Sequence, residues 1–424
     1  MMGKWDEEAT DCRITQKSPG PKSSFGSGED TGREKRPQTN TVDNMNDQQV
    51  LTLAKSDGSK GVVRKLPSQS KANHNTVDQC VQTLLSLAAG DGGKGVMRKL
   101  LEQNDANPHI VNKYGRTPLS VAAGNGHEGV VRVLLEWNDV NPDTADKEGR
   151  APLWWAARNG HERVVRILLE QNGVNPGHTD KYGQTSLSTA AWNGREGVVN
   201  ILLEQHGVNP DQAGENGQTP LSLAAGNGRE GVLKTLLQRK DVNPNTASQS
   251  GRTPLSWAAG NGHEGVVRVL LERNDVHLNT VDKDGQTPLW WAARNGHEGV
   301  VMILLEQSEA TPSTANKISQ TPLRRASGSA HEEAARTLPE RNDVNPNATH
   351  QDCKKPLWQA ARNSCKRITE LLRTKRISFL DKQQARHQQN SSPLSPPAYQ
   401  NSYSEGPIKP NSSLSTCSCT HTLH

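Results

Sequence analysis

The sequence predicts an all-α solenoid of stacked helix-turn-helix units with disordered tails, and three observations carry that prediction. A Thr-Pro-Leu triplet or a close variant opens at Thr117, Ala151, Thr185, Thr219, Thr253, Thr287, Thr321 and Lys355, so one unit recurs every 34 residues (117, 151, 185 and onward). Within a unit, apolar residues fall at helical spacing in two short runs. In the stretch from Thr253 to Asn279 these are Leu255, Ala258 and Ala259, then Val266, Val267, Val269, Leu270 and Leu271. The punctuation agrees with the runs: a hydroxyl cap and a proline at the first helical position open the first helix, and Gly262 closes it in a left-handed conformation. Two short helices, each apolar on one side, cannot cover themselves. A fixed period in this range therefore implies lateral stacking.

Residues 1–41 are rich in Ser, Gly, Lys, Glu, Asp and Thr and poor in apolar residues, so they cannot offset their ordering entropy and are expected to be disordered. They carry one weak basic cluster, Arg33-Glu34-Lys35-Arg36-Pro37, which reads as solvated charge, with nuclear import as the lesser alternative. The array runs over 42–380 in about ten copies. The first, 42–75, has lost the triplet and carries Pro67 in the last turn of its second helix, a helix-breaking position. The second has Thr83 at the position of Thr117, and copies three to eight are regular. The ninth carries Pro339 in the same column as Pro67 and replaces the Val pair with Ala334 and Ala335. The tenth regains Leu357, Ala360, Ala361, Ile368, Leu371 and Leu372, then turns basic at Arg373, Lys375 and Arg376, as an array end facing water requires. Residues 381–424 are dominated by Gln, Asn, Ser and Pro and read as a second disordered tail.

The units resemble the ankyrin repeat family. The copy from Asp282 reads DKDGQTPLWWAARNGH, against the family pattern D-x-x-G-x-T-P-L-H-x-A-A-x-x-G-H, and Val300–Glu306 fits its V-x-x-L-L run. The resemblance covers roughly four fifths of the chain and is strongest to arrays abundant in filamentous fungi. Three departures stand out. The usual His of the motif is Ser120, Trp154, Ser256 or Trp290 here; a Gly sits in the first turn of the second helix (Gly129, Gly197, Gly231, Gly265, Gly299); and the connector after Val-Asn is one residue longer than usual.

The resemblance implies a non-catalytic scaffold or recognition module that holds a partner protein on its concave side, through hairpin tips, the exposed face of the first helix and the end of the second. Those columns hold Lys113, Tyr114 and Arg116; Lys147, Glu148 and Arg150; Lys181 and Tyr182; Glu215; Arg252; and Lys283 and Asp284 at the tips. The first-helix column adds Arg158, Trp192 and Arg294, and the helix-end column Trp137, Arg239 and Arg273. The buried columns hardly change between copies while these vary, and Tyr, Trp and Arg are residue types that dominate binding hot spots. Trp155, Trp257 and Trp291 are expected to pack in the core, and Trp137 and Trp192 to stand exposed. In related fungal proteins such arrays are often the sensing end of a signalling NTPase.

Other motifs resolve against chemistry. Each of His127, His161, His263, His297 and His331 is followed by Glu, but the second His of a zinc-protease motif is replaced by Val or Ala. Gly90-Asp91-Gly92-Gly93-Lys94-Gly95 lacks the spacing of a phosphate loop. No nucleophile-base set stands out, so no enzyme activity, cofactor or metal is expected. Pro396, Pro397 and Tyr399 form a P-P-x-Y match suited to a WW-domain protein, which allows a second reading as a ubiquitin-ligase adaptor. A third reading, nuclear transcriptional regulation, rests on the family and the Arg33 cluster. Ser392 and Ser395 precede prolines as candidate phosphorylation sites, and Cys417, Cys419, His421 and His424 form a crowded, fold-free ligand set.

Composition bounds the rest. Net charge is +5, too balanced for a nucleic-acid binder; mean hydropathy of −0.78 fits a thin stacked core with polar loops and tails, and no stretch approaches the ~18–20 apolar residues a membrane span needs. The start MMGKWDEEATDCR lacks a signal-peptide apolar region, and six scattered cysteines imply no disulfide framework. A cytoplasmic or nuclear, non-secreted protein is expected.

Overall fold

A computed structural model describes residues 84–102, 107–137, 139–329, 331–340, 344, 356, 360, 366–370 and 372–374. Both tails, the first repeat, the Arg33 cluster, Pro396, Pro397, Tyr399 and the Cys417–His424 set lie outside the described residues. Those described contain eight helix pairs, from Leu84–Asp91 with Lys94–Leu101 to Pro322–Gly328 with Glu332–Thr337. Among them there is no strand, only an isolated bridge between Thr179 and Thr185.

The helix starts follow from their caps. Thr117 and Thr253 Oγ1 accept the backbone N–H of Ser120 and Ser256 at 3.1 and 3.3 Å, satisfying an amide that the helix leaves orphaned. Ala151 holds the same extended backbone but offers no side-chain cap. Gly262 ends the helix Pro254–Asn261 at φ 78°, and a Cβ there would lie 2.5 Å from His297 Nδ1 of the next repeat. In the ninth repeat the second helix stops at Thr337 and Leu338–Glu340 becomes a 3-10 turn. This is the place where Pro339, lacking an N–H, was expected to break it.

Leu119, Leu153, Leu187, Leu221 and Leu255 and the Ala pairs behind them are buried, as are Val130, Val131, Val133 and Leu134 in the second helix and their counterparts. Together they form a single core through the described repeats, from Leu85 to Leu372. Each first helix packs on the first helices beside it, and each second helix on the second helices beside it; substantial contacts stay within a repeat or between adjacent repeats. The alanine pairs let the first helices approach closely.

Polar stitches run parallel to this seam. Asn159 Nδ2 and His161 Nε2 both donate to Gly124 O of the preceding repeat, at 2.6 and 2.9 Å. Asn261 and His263 do the same to Gly226 O, and Asn295 and His297 to Gly260 O. Where the preceding residue is Arg158 or Trp192 instead of Gly, the junction residue is Arg195 or Arg229, and its Nε donates to that carbonyl. At the hairpin tips, Lys147 N donates to Tyr114 O, Lys181 N to Glu148 O, and Lys283 N to Ser250 O, so each tip is tied to the one before it. Beside the recurring second-helix glycines Gly197, Gly231, Gly265 and Gly299 lies the exposed carboxylate of the preceding repeat's glutamate (Glu162, Glu196, Glu230, Glu264).

Candidate partner-binding face

Each hairpin tip is shaped by one polar side chain. Asp146 Oδ1 accepts the backbone N–H of Glu148 and Arg150 at 2.9 and 3.0 Å, and Asn112, Asp180, Asp282 and Asn316 repeat the arrangement. The turn then passes through a left-handed residue, such as Gly251 at φ 82°, whose Cβ would sit 2.7 Å from Lys283 N. Lys113, Lys147, Lys181, Glu215, Lys283 and Asp284 are exposed along the tips, with Tyr114 and Tyr182 half-buried beside them. Lys181 Nζ pairs with Glu148 and lies 5.0 Å from the Tyr182 ring centroid. The Lys181 hydrogen bond holds the Glu148 carboxyl below its usual range, and Lys181 is raised in turn.

The arginine before the Thr-Pro-Leu position does not project from the tip. Arg150, expected at an exposed tip, is only 7% exposed, and Arg116 and Arg252 are half-buried. These side chains fold inward over tryptophans of the first helices. Arg116 Cζ lies 3.5 Å from the centroid of Trp155, one repeat on, and its Nε is 3.6 Å from Asp146 Oδ2. Arg150 lies over Trp154 and Trp155, and Arg158 approaches both rings from the first-helix column. Four repeats later the pattern returns. Arg252 Cζ is 3.8 Å from Trp257 and 4.1 Å from Trp291, with Arg294 5.0 Å from Trp291 and Arg325 5.9 Å from Trp290.

An aspartate anchors each group from below: Trp155 Nε1 donates to Asp146 Oδ2 at 3.2 Å, and Trp291 Nε1 to Asp282 Oδ2 at 2.9 Å. Burial pushes the Arg252 guanidinium down to about 10, with Asp282 opposing the shift and Arg294 adding to it. Arg325 is lowered first by burial and then by Arg294. Arg252 Nη2 donates to Ser256 O at 3.0 Å, while the buried Nε atoms of Arg252 and Arg325 have no hydrogen-bond partner. Chemically, this is a set of guanidinium planes stacked on indoles, which favours anions at the N–H edges.

Several sequence expectations change in this light. Trp155 is buried as expected, but Trp257 and Trp291 are only half-buried, each with Arg252 over its ring. Trp154 and Trp290 are buried beside them in edge-to-face pairs. Trp192, expected exposed, is half-buried. Trp137 is 36% exposed and stands apart at the end of Glu128–Leu135. The helix-end arginines are held in place: Arg239 and Arg273 fork onto Asp241 and Asp275, while Nη1 donates to Leu203 O and Leu237 O at the C-terminus of the preceding repeat's second helix. That placement suits a cation at the negative end of a helix.

A family model described as ankyrin repeats (3 copies) matches residues 51–146, 138–214, 206–282 and 274–350. The chain belongs to the ankyrin-repeat family, whose repeats generally mediate protein–protein interaction and are typically non-enzymatic. No curated protein matches it.

Proposed function

We propose that the chain is a non-catalytic recognition scaffold that holds a partner protein against the face built from hairpin tips and first helices. The observation that carries this reading is the concentration of Arg, Trp and Tyr on that one face, arranged in two groups on an otherwise regular frame. These residue types supply large contact area with charged edges, as binding hot spots do. A cytoplasmic setting fits the reading.

Affinity purification with cross-linking tests it, comparing the full chain with a variant carrying Tyr114→Ala, Arg158→Gln and Tyr182→Ala. The expected result is loss of a defined set of partners cross-linked to tip lysines. Recovery of the same partners at the same yield would remove the face assignment. A second reading, recruitment of a WW-domain ligase through Pro396, Pro397 and Tyr399, is supported by the motif itself. Tyr399→Ala would abolish ligase pull-down if it holds.

A further inference from the structure

The two arginine–tryptophan groups are copies of one another. Arg116, Asp146, Trp155 and Arg158 each have a counterpart at the same repeat position four repeats on: Arg252, Asp282, Trp291 and Arg294. Between them the arginine and tryptophan columns are neutral at Gln184, Gln218, Thr189 and Leu223, while the aspartate column keeps Asp180, and Arg150 belongs to the first group. The face is therefore bipartite.

Charge in the second group is unbalanced. Arg252, Arg294 and Arg325 converge on Trp257, Trp290 and Trp291, and the tip-shaping residues on either side of Asp282 are the neutral Ser248 and Asn316. Asp282, whose Oδ1 takes two backbone N–H groups and whose Oδ2 takes the Trp291 indole, opposes the Arg252 charge but leaves the group net positive. Three guanidiniums gathered on three indoles and opposed by one carboxylate describe a site complementary to added negative charge.

We propose that this group receives carboxylates from an acidic, extended segment of the partner protein, and that the Arg116–Trp155–Arg158 group receives a second acidic cluster of the same segment. The inference rests on the reading of this face as the partner-binding one. A polypeptide is favoured over nucleic acid because the cations are clustered in two stacks rather than spread along a stripe. Helices pack 8–10 Å apart, so four layers place the groups about 30–40 Å apart. An extended chain rises about 3.3 Å per residue, so the acidic clusters would be spaced by roughly ten to twelve residues.

The test uses the full chain and synthetic Gly/Ser peptides carrying two Glu-Glu-Glu clusters at that spacing, with binding read by tryptophan fluorescence. The double-cluster peptide is expected to bind, and replacing Glu by Gln to weaken it by about tenfold or more, as loss of charge-assisted hydrogen bonds requires. Removing one cluster should also weaken it, by loss of avidity. Arg294→Gln, checked for unchanged melting, should reproduce the single-cluster affinity. Equal binding of the Gln peptide, or of an oligothymidylate of the same charge, would overturn the proposal; the peptide arms need no variant. If the peptides fail while partner capture still depends on Tyr114, Arg158 and Tyr182, the acidic-segment inference falls and the scaffold reading stands.

Discussion

Trp291 Nε1 donates to Asp282 Oδ2 at 2.9 Å, across the base of a hairpin tip whose backbone Asp282 Oδ1 shapes. One carboxylate thus sets the turn and orients the indole on which Arg252 stacks. In Asp282→Asn an amide that keeps the turn bonds would present its N–H₂ to the indole N–H, two donors facing each other. A loss of about 1–3 kcal/mol is expected, read from urea unfolding, together with a change in tryptophan emission.

The same substitution at Asp180 should act in the opposite direction. Burial raises the Asp180 carboxyl above its ordinary value, and its Oδ2 has no hydrogen-bond partner. The folded state therefore holds this proton more tightly than the unfolded chain. Its favourable contribution is complete below the ordinary carboxylate value and is lost as pH rises through the raised one. Asn112 and Asn316 already fill this position elsewhere in the array. Asp180→Asn should therefore be more stable than the parent at pH 7, with the gain shrinking in acid denaturation series near pH ~3. A less stable variant at pH 7 would contradict the burial argument.

Ala151 begins its helix with φ −76° and ψ 164° and no cap, whereas Thr287, before the same Pro-Leu-Trp-Trp sequence, caps Trp290 N at 3.1 Å. Ala151→Thr should therefore fit without repacking and add about 1 kcal/mol, measured by chemical unfolding.

Ser319 is the one non-glycine with positive φ among the described residues, at 58°, in the tip column that Gly251 and Gly285 occupy elsewhere. Ser319→Gly should relieve about 1 kcal/mol of left-handed strain, partly offset by the greater freedom of glycine in the unfolded chain. Hydrogen exchange of the Lys317 amide, which bonds Asp284 O, reads this locally: slower exchange is expected.

Much of the frame was legible because it depends on residues close in sequence. Thr253 with Pro254 marks a helix start, Gly262 a left-handed stop, and Pro339 the shortened second helix, each by local rules. The face was less legible because its contacts run diagonally between repeats. Reading columns alone placed Arg150 on an exposed tip; its side chain instead turns under the tip onto Trp154 and Trp155. The pairings of Arg116 with Trp155 and of Arg252 with Trp291 share one offset, a signal that appears only when a column is compared with the next repeat's column. Arg239 and Arg273 carried a clearer sign: an aspartate two residues on, which fixes the guanidinium so that it can cap the helix behind it. The tryptophans resisted a core-or-surface division because Trp291 is half-buried and carries a cation over its ring.

All of this depends on repeats that touch only their neighbours, which holds the two arginine groups four layers apart. Spin labels at Glu148→Cys and Asp284→Cys, equivalent tips four repeats apart, measure that directly by pulsed electron resonance in a chain whose native cysteines are changed to serine. A narrow distance distribution centred near 30–40 Å is expected from helix layers 8–10 Å apart. A distribution centred below about 20 Å, where the array would have to fold back on itself, would contradict it.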